Sequence, residues 1–220
     1  MRFAALCGFA AEQRLAQRFG IAAFATGGDS ARGRMLAARA AETADGVLSF
    51  GIAGGLAPRL ASGTLLLPRA VVGTNGTRLD VDAGLHRRLL AALAAAGVHA
   101  ETGALLALEA VVATPQAKAE QHARHGALSI DLESLHAARA AQAAGKPFAV
   151  LRAVADPADR GLPAAALVGL HPSGRVAPGR VLAALLRQPG QIPDLIATAR
   201  DTRRALTALR AALTVLRDIL

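Results

Sequence analysis

The sequence predicts an α/β fold of three layers. A mixed, mostly parallel sheet lies between two layers of helices, and a helical extension follows at the C-terminus. Three observations predict this. Short apolar runs alternate with amphipathic segments from Phe3 to Asp156, the pattern of crossover units. Runs such as Val47 to Phe50, broken only by Ser49, and Phe148 to Leu151 are apolar without alternation, as strands buried on both faces are. Glycine or proline sits at most of the transitions, where it ends one element and starts the next.

The elements follow in order. Phe3 to Cys7 reads as a strand ending at Gly8, Ala10 to Phe19 as a helix that Gly20 stops, and Ile21 to Ala25 as a strand. Met35 to Thr43 is helical, and Gly46 to Phe50 is a strand running into a glycine loop, Gly51 to Gly55. Pro68 interrupts two short strands, Thr64 to Leu67 and Ala70 to Val72. Asp82 to Ala96 is a helix stopped by Gly97, and Gly103 to Val112 is extended. Thr114-Pro115 starts a helix, with Thr as N-cap and Pro at the first helical position, and Gly126 ends it. Ala127 to Ile130 is a strand, Leu132 to Ala144 a helix, and Phe148 to Val154 the last strand. Five prolines then break residues 157–190. From Asp194 the chain is uninterrupted. Leu195, Ala199, Thr202, Leu206, Leu209, Leu213, Leu216 and Leu220 form a heptad seam.

Composition excludes several classes. The chain has 220 residues, 53% of them hydrophobic and 19% charged, which suits one folded domain rather than a disordered chain. There is one cysteine, so neither a disulfide framework nor a Cys-based zinc site is expected, and a reducing, cytoplasmic setting is. Tyr and Trp are absent, which removes the usual stacking platform for single-stranded nucleic acid. The net charge of +9 is spread along the chain and is carried almost wholly by arginine, so no nucleic-acid partner is expected. No apolar run is long enough to span a bilayer, and the N-terminal stretch is too quickly charged for a secretory leader.

Four constellations could carry chemistry. Glycines 51, 54 and 55 either make a tight turn or let backbone amides approach a ligand. Asp131-Leu132-Glu133 stands where a strand hands over to a helix. Asp131 is either an N-cap or a functional acid, and Glu133 could accept hydrogen bonds from a pair of hydroxyls. Arg152 lies inside an apolar strand that Asp156 closes. At period two both face one side of the sheet, either as a structural ion pair or with Asp156 as a general acid. Glu12 begins the first helix, as a solvated acid or a functional one. The six histidines do not organise into a metal site, and Cys7 reads as a core thiol.

The order of these signals resembles the nucleoside phosphorylase superfamily, and within it the 5'-methylthioadenosine/S-adenosylhomocysteine nucleosidases. The segments that carry the resemblance are Gly8 to Glu12, GIAGGLAP followed by GTLLLP, Gly103 to Val112, DLES, and VLRAVAD. It covers residues 1–160 as a catalytic domain, with 161–220 as a loop and helical extension packed on it. It implies roles by position. Asp156 would protonate the purine, Glu133 would hold ribose hydroxyls, and Leu132 would pack on the sugar. Val111 and Val112 would read the adenine edge. Gly51, Ala53, Gly54 and Gly55 would lie behind the sugar. Arg152 would stand near the nucleophile, and Glu12 would activate water. No metal or cofactor is implied, with phosphate the alternative co-substrate to water.

This sequence departs from the pattern at four positions. Ile52 and Ala155 replace serines, Thr64 replaces an aspartate, and Val111 stands where a Phe often stacks on the base. The tail, LPAAALVGLHPSGRV and LLRQPGQIPDLIATARDTRRALTALR, is similar to the hopanoid-associated phosphorylases. That implies adenosylhopane, a purine nucleoside with a lipid tail, as substrate. The alternatives are a general nucleosidase or purine nucleoside phosphorylase, and a non-catalytic nucleoside-binding module. The apolar run Leu162, Ala164 to Val168 and Leu170, and the seam flanked by Arg200, Arg203, Arg204, Arg210 and Arg217, suggest peripheral contact with the inner membrane surface; the alternative is that the seam packs on the domain or pairs with its copy in a homodimer.

Overall fold

A computed structural model describes residues 1–168, 179, 183–184 and 187–220. Its elements run β1 (Phe3–Cys7), α1 (Ala10–Arg18), β2 (Ala22–Ala25), α2 (Ser30–Thr43), β3 (Gly46–Gly55), β4 (Leu65–Leu66), β5 (Ala70–Gly73), β6 (Arg78–Asp80), α3 (Ala83–Ala95), β7 (Ala100–Glu101) and β8 (Ala104–Ala107). Then come α4 (Pro115–His125), β9 (Ser129–Asp131), α5 (Ser134–Ala143), β10 (Phe148–Asp156), α6 (Ala164–Val168) and α7 (Ile192–Leu216).

The described strands form one ten-stranded sheet with order β6-β5-β8-β9-β3-β10-β4-β7, and β1 joins β3 to β2. Six of the nine pairings are parallel and three antiparallel, so the sheet is mixed and mostly parallel. β3 organises it. It pairs with β10 along its length, with β1 through Phe3 to Leu6, and with β9 only at Gly54 and Gly55. The sheet therefore forks where β1 ends and β9 begins, and the carboxyl end of β1 opens into that fork.

Two cores cover the sheet. On one face Leu48, Phe50 and Leu151 pack with Leu85, Leu89 and Leu93 of α3 and Leu209, Leu213 and Leu216 of α7. On the other, Leu6, Val47 and Val150 pack with Leu36 and Ala37 of α2 and Ala137 and Ala141 of α5. β10 alternates cleanly between them, because successive side chains of a strand leave on opposite faces. The alanines keep the helices close to the sheet and bury no polar atom.

Several boundaries differ from the sequence reading. β3 continues through Gly55, so the expected glycine loop is strand. α2 begins at Ser30, five residues before the expected Met35, because the Asp29 side chain caps the Arg32 amide. β8 stops at Ala107, so Leu108 to Val112 are loop and not extended strand. β6 and β7 are three and two residues long, too short for a periodic signal. The α4 boundaries follow the residues. Thr114 caps the Ala117 amide, Pro115 opens the helix, and Gly126 closes it in the left-handed conformation. Leu170 lies outside the described residues.

Candidate active site

The site grows from the fork. Glu12 is in the first turn of α1, and its Oε2 accepts from the Phe9 amide at 2.8 Å, which is what an acid at that position does for a helix N-terminus. Its Oε1 accepts from the Ile52 amide of β3 at 2.8 Å. The carboxylate is buried, not solvated. Burial pushes its pKa up, against Arg152 and the Ile52, Phe9 and Gly8 amides, which pull it down. Gly51 makes this possible. It has φ +146°, and a Cβ there would lie 2.5 Å from the Glu12 carboxylate. The Ile52 amide serves Glu12 and is not free for a ligand.

Glu133 reaches the same place from the start of α5. A Cβ on Gly8 would lie 3.0 Å from Glu133 Oε1 and 3.5 Å from Glu12 Oε2, so the two carboxylates flank that glycine. Thr26 Oγ1 donates to Glu133 Oε1 at 3.2 Å. Burial pushes the Glu133 pKa up to about 7; Arg152 opposes this, and Asp131 and Glu12 add to it.

Arg152 is fully buried. Its Nη2 lies 2.6 Å from Asp131 Oδ2 and 3.3 Å from Glu133 Oε2 and donates to Ser49 Oγ at 2.7 Å. Its Nη1 donates to the Ile52 carbonyl at 3.2 Å. Burial works against the charge, yet the three surrounding carboxylates hold the proton more firmly than usual. Asp131 also accepts from the amide and hydroxyl of Ser134, so it caps α5 and anchors Arg152 together.

Arg152 and Asp156 do not pair. A register shift between Val154 and Asp156 breaks the expected period-two relation. Asp156 Oδ2 instead lies 2.7 Å from Lys118 Nζ. Lys118 is wholly buried and also donates to the carbonyls of Asp156, Pro157 and Arg160 at 3.2, 2.9 and 2.9 Å. Burial raises the Asp156 pKa, and Lys118 pulls it back. Gly54 leaves room for this acid, since a Cβ there would lie 3.3 Å from both its oxygens.

These groups face a cavity of about 820 Å³. Of the residues named from sequence, Glu12, Ala53, Gly54, Val111, Val112, Leu132, Glu133 and Asp156 line it. Arg152, Gly51 and Gly55 do not; they stand behind the lining. Sequence reasoning missed one contributor and left two others without a place in the cavity. Lys118 was one of only two lysines, and its position one helical turn past the Thr114 cap carried no signal. Asp131 was read only as an N-cap or an unassigned acid. The third is the N-terminal half of α7. There Leu195, Thr198, Ala199, Thr202 and Leu206 form a wall with Leu162 and Ala166.

The fold has many relatives among solved structures. The 5'-methylthioadenosine/S-adenosylhomocysteine nucleosidase of Helicobacter pylori, in complex with a substituted pyrrolidin-3-ol, superposes with TM-score 0.75 at 14% identity over 100% of this chain and 99% of its own. The Neisseria meningitidis nucleosidase with methylthio-immucillin-A gives 0.75 at 16% over the full length of both chains. Futalosine hydrolase of Helicobacter pylori gives 0.74 at 13% over 100% and 98%. At these identities the likeness is one of fold. None of the curated protein sequences matches the chain. The profile of the phosphorylase superfamily, however, matches residues 9–187, most of the chain and every carboxylate around the cavity, and the chain belongs to the phosphorylase superfamily.

Proposed function

We propose that the chain cleaves the N-glycosidic bond of a 5'-substituted adenosine and releases adenine. Its substrate would carry a large apolar 5' group, with adenosylhopane the compound the sequence resemblance supplies. One observation carries the reading. A single cavity joins a half-buried acid, Asp156, to a second cluster of acids, Glu12 and Glu133, and then extends along an apolar wall of Leu162, Ala166, Leu195, Ala199 and Leu206. Its volume of about 820 Å³ is toward the upper end of the ~300–1,000 Å³ usual for small-molecule sites. That leaves space past a nucleoside.

The residues divide the chemistry. As the bond to the purine breaks, electrons flow to the base and positive charge gathers on the sugar. Asp156, kept protonated more readily by burial, supplies the proton to the departing base. Glu133 accepts from the ribose hydroxyls. Glu12, Asp131 and Glu133 outnumber Arg152, so the cluster favours positive charge on the sugar. Water is the better-supported nucleophile. Glu12 can take its proton, and the Arg152 guanidinium is already engaged with Asp131, Glu133, Ser49 and the Ile52 carbonyl. The buried acids would repel phosphate. Arg152 then acts as a positioning residue.

The test is adenine release from adenosylhopane and from methylthioadenosine, each with and without phosphate. The expected result is release that ignores phosphate, with the higher kcat/KM on adenosylhopane. Stoichiometric sugar 1-phosphate would overturn hydrolysis. An equal or higher kcat/KM on methylthioadenosine would leave a general nucleosidase, which the shared fold also favours. Adenine binding with no release from either would leave a binding module.

A further inference from the structure

We propose that the outer faces of α1 and α7 dock on an anionic phospholipid bilayer, so that the mouth of the cavity opens toward lipid. Along α7, Ile192, Ile196, Ala199, Arg203, Thr207 and Arg210 recur at spacings of three and four, so they share one helix face. That face is solvent-exposed, with Ile192 and Ile196 at 43% and 46% exposure. It is divided along its length, the isoleucines at one end and the arginines at the other. Val111, a third large apolar residue left exposed at 42%, lines the cavity itself.

The basic end has a second contributor. A groove of about 260 Å³ between α1 and α7 is lined by Arg14, Arg18, Arg203 and Arg210, with Leu15 and Leu206 at its base. Among the described residues none of these four arginines has a carboxylate within ion-pair distance, whereas Arg160 and Arg204 pair with Asp201, and Arg217 with Asp218. Four converging cations repel one another unless an anionic surface covers them. The groove adjoins the cavity, because Ala11, Arg14 and Leu206 border both.

An apolar stripe that runs into a basic one, beside an apolar opening, is complementary to a bilayer. Phosphates meet the arginines, and the isoleucines enter the headgroup boundary. A nucleic acid would cover the arginines but leave Ile192, Ile196 and Val111 in water, and the chain has no Tyr or Trp to stack on bases. The proposal stands on the geometry of the mouth, whichever nucleoside the cavity admits.

The full chain is sedimented with phosphatidylcholine vesicles, with and without phosphatidylglycerol. It should bind only the anionic vesicles and be released by high salt. Arg18→Gln/Arg203→Gln/Arg210→Gln should weaken partition by roughly 10²-fold, since each basic residue at such a surface is worth about five-fold. Ile192→Ser/Ile196→Ser should weaken it while leaving the salt dependence unchanged. None of these side chains lines the cavity, so thermal unfolding and methylthioadenosine cleavage, measured in parallel, report on fold and activity separately from docking. No binding to anionic vesicles, equal binding to neutral ones, or native-like binding by either variant would overturn the proposal. So would arginine-dependent binding of an oligonucleotide in the absence of vesicle binding, or loss of vesicle binding to inorganic phosphate at an ionic strength where chloride leaves it intact.

Discussion

Gly51 is a glycine because the Glu12 carboxylate occupies the space a side chain would need, and Gly54 because Ile130 does, with Asp156 crowding the same space. Read from sequence, the same glycines suggested a loop with amides free for a ligand. Spacing reports where backbone can come close to something, not whether that something is a ligand or the protein's own acid. Lys118 was illegible for a related reason. Its role depends on the turn at residues 157–160, which brings three carbonyls around its ammonium. Asp156→Asn should lower kcat by about 10²–10⁴-fold with the fold retained, since an amide has no acidic proton to give; a variant keeping a third of native activity would remove Asp156 from the reaction. Lys118→Met should act on the same acid from the other side. Lys118 favours the ionised form of Asp156, so its loss should move the alkaline limb of the pH–rate profile upward. It should also lower Tm, because buried carbonyls lose their donor. An unmoved limb would mean that Lys118 holds the turn without tuning the acid.

At the scale of elements, α7 does two jobs with one sequence pattern. The heptad seam was legible as apolar spacing, but spacing could not say that its halves have different partners. From Ala205 to Leu216 the helix is built into the core beside α3 and β10. From Leu195 to Leu206 it walls the cavity. Asp201 is buried between the halves, where it holds Arg160 and so ties α7 to the turn that follows β10. Fully buried Leu209 and Leu213 make deletion of residues 191–220 a poor probe of lipid contact. It would strip one face of the sheet, and the expected product is insoluble. Point variants separate the two jobs. Leu209→Ala should cost about 2–5 kcal/mol of stability, the usual range for a large-to-small core change, and leave KM nearly unchanged. Leu195→Ala should leave Tm nearly unchanged and raise KM for a substrate with a long apolar group more than for methylthioadenosine. Denaturant titration and steady-state kinetics on both variants check this, and a Leu195→Ala protein with native KM for the long substrate would remove α7 from the binding wall.

At the scale of the whole molecule, the layered order and the mostly parallel sheet followed from alternation and apolar runs, because burial on two faces writes itself into composition. The fork in the sheet was not legible, since it depends on β9 pairing with only two residues of β3. That fork gathers Glu12, Asp131, Glu133 and Arg152 in one buried place, and the gathering has a cost that pH can read. Glu12, Glu133 and Asp156 all titrate above their ordinary values because burial disfavours their charge. Between the ordinary carboxylate range and these raised values the native state holds protons that the unfolded chain has released. Stability must therefore fall as pH rises through that window and recover on acidification, until the ordinary carboxylates begin to protonate. For Glu133 the window runs from 4.5 to about 7. His136, whose pKa burial lowers, has the opposite slope below its ordinary value, so the raw pH curve mixes the two. The difference between native protein and Glu133→Gln isolates the acid, because the amide fills the same space without titrating. Glu133→Gln should be the more stable protein at pH 8, and its advantage should shrink steadily toward pH 5. If thermal unfolding shows an advantage independent of pH, or none at pH 8, Glu133 is ionised at little cost and the buried cluster is not under electrostatic load.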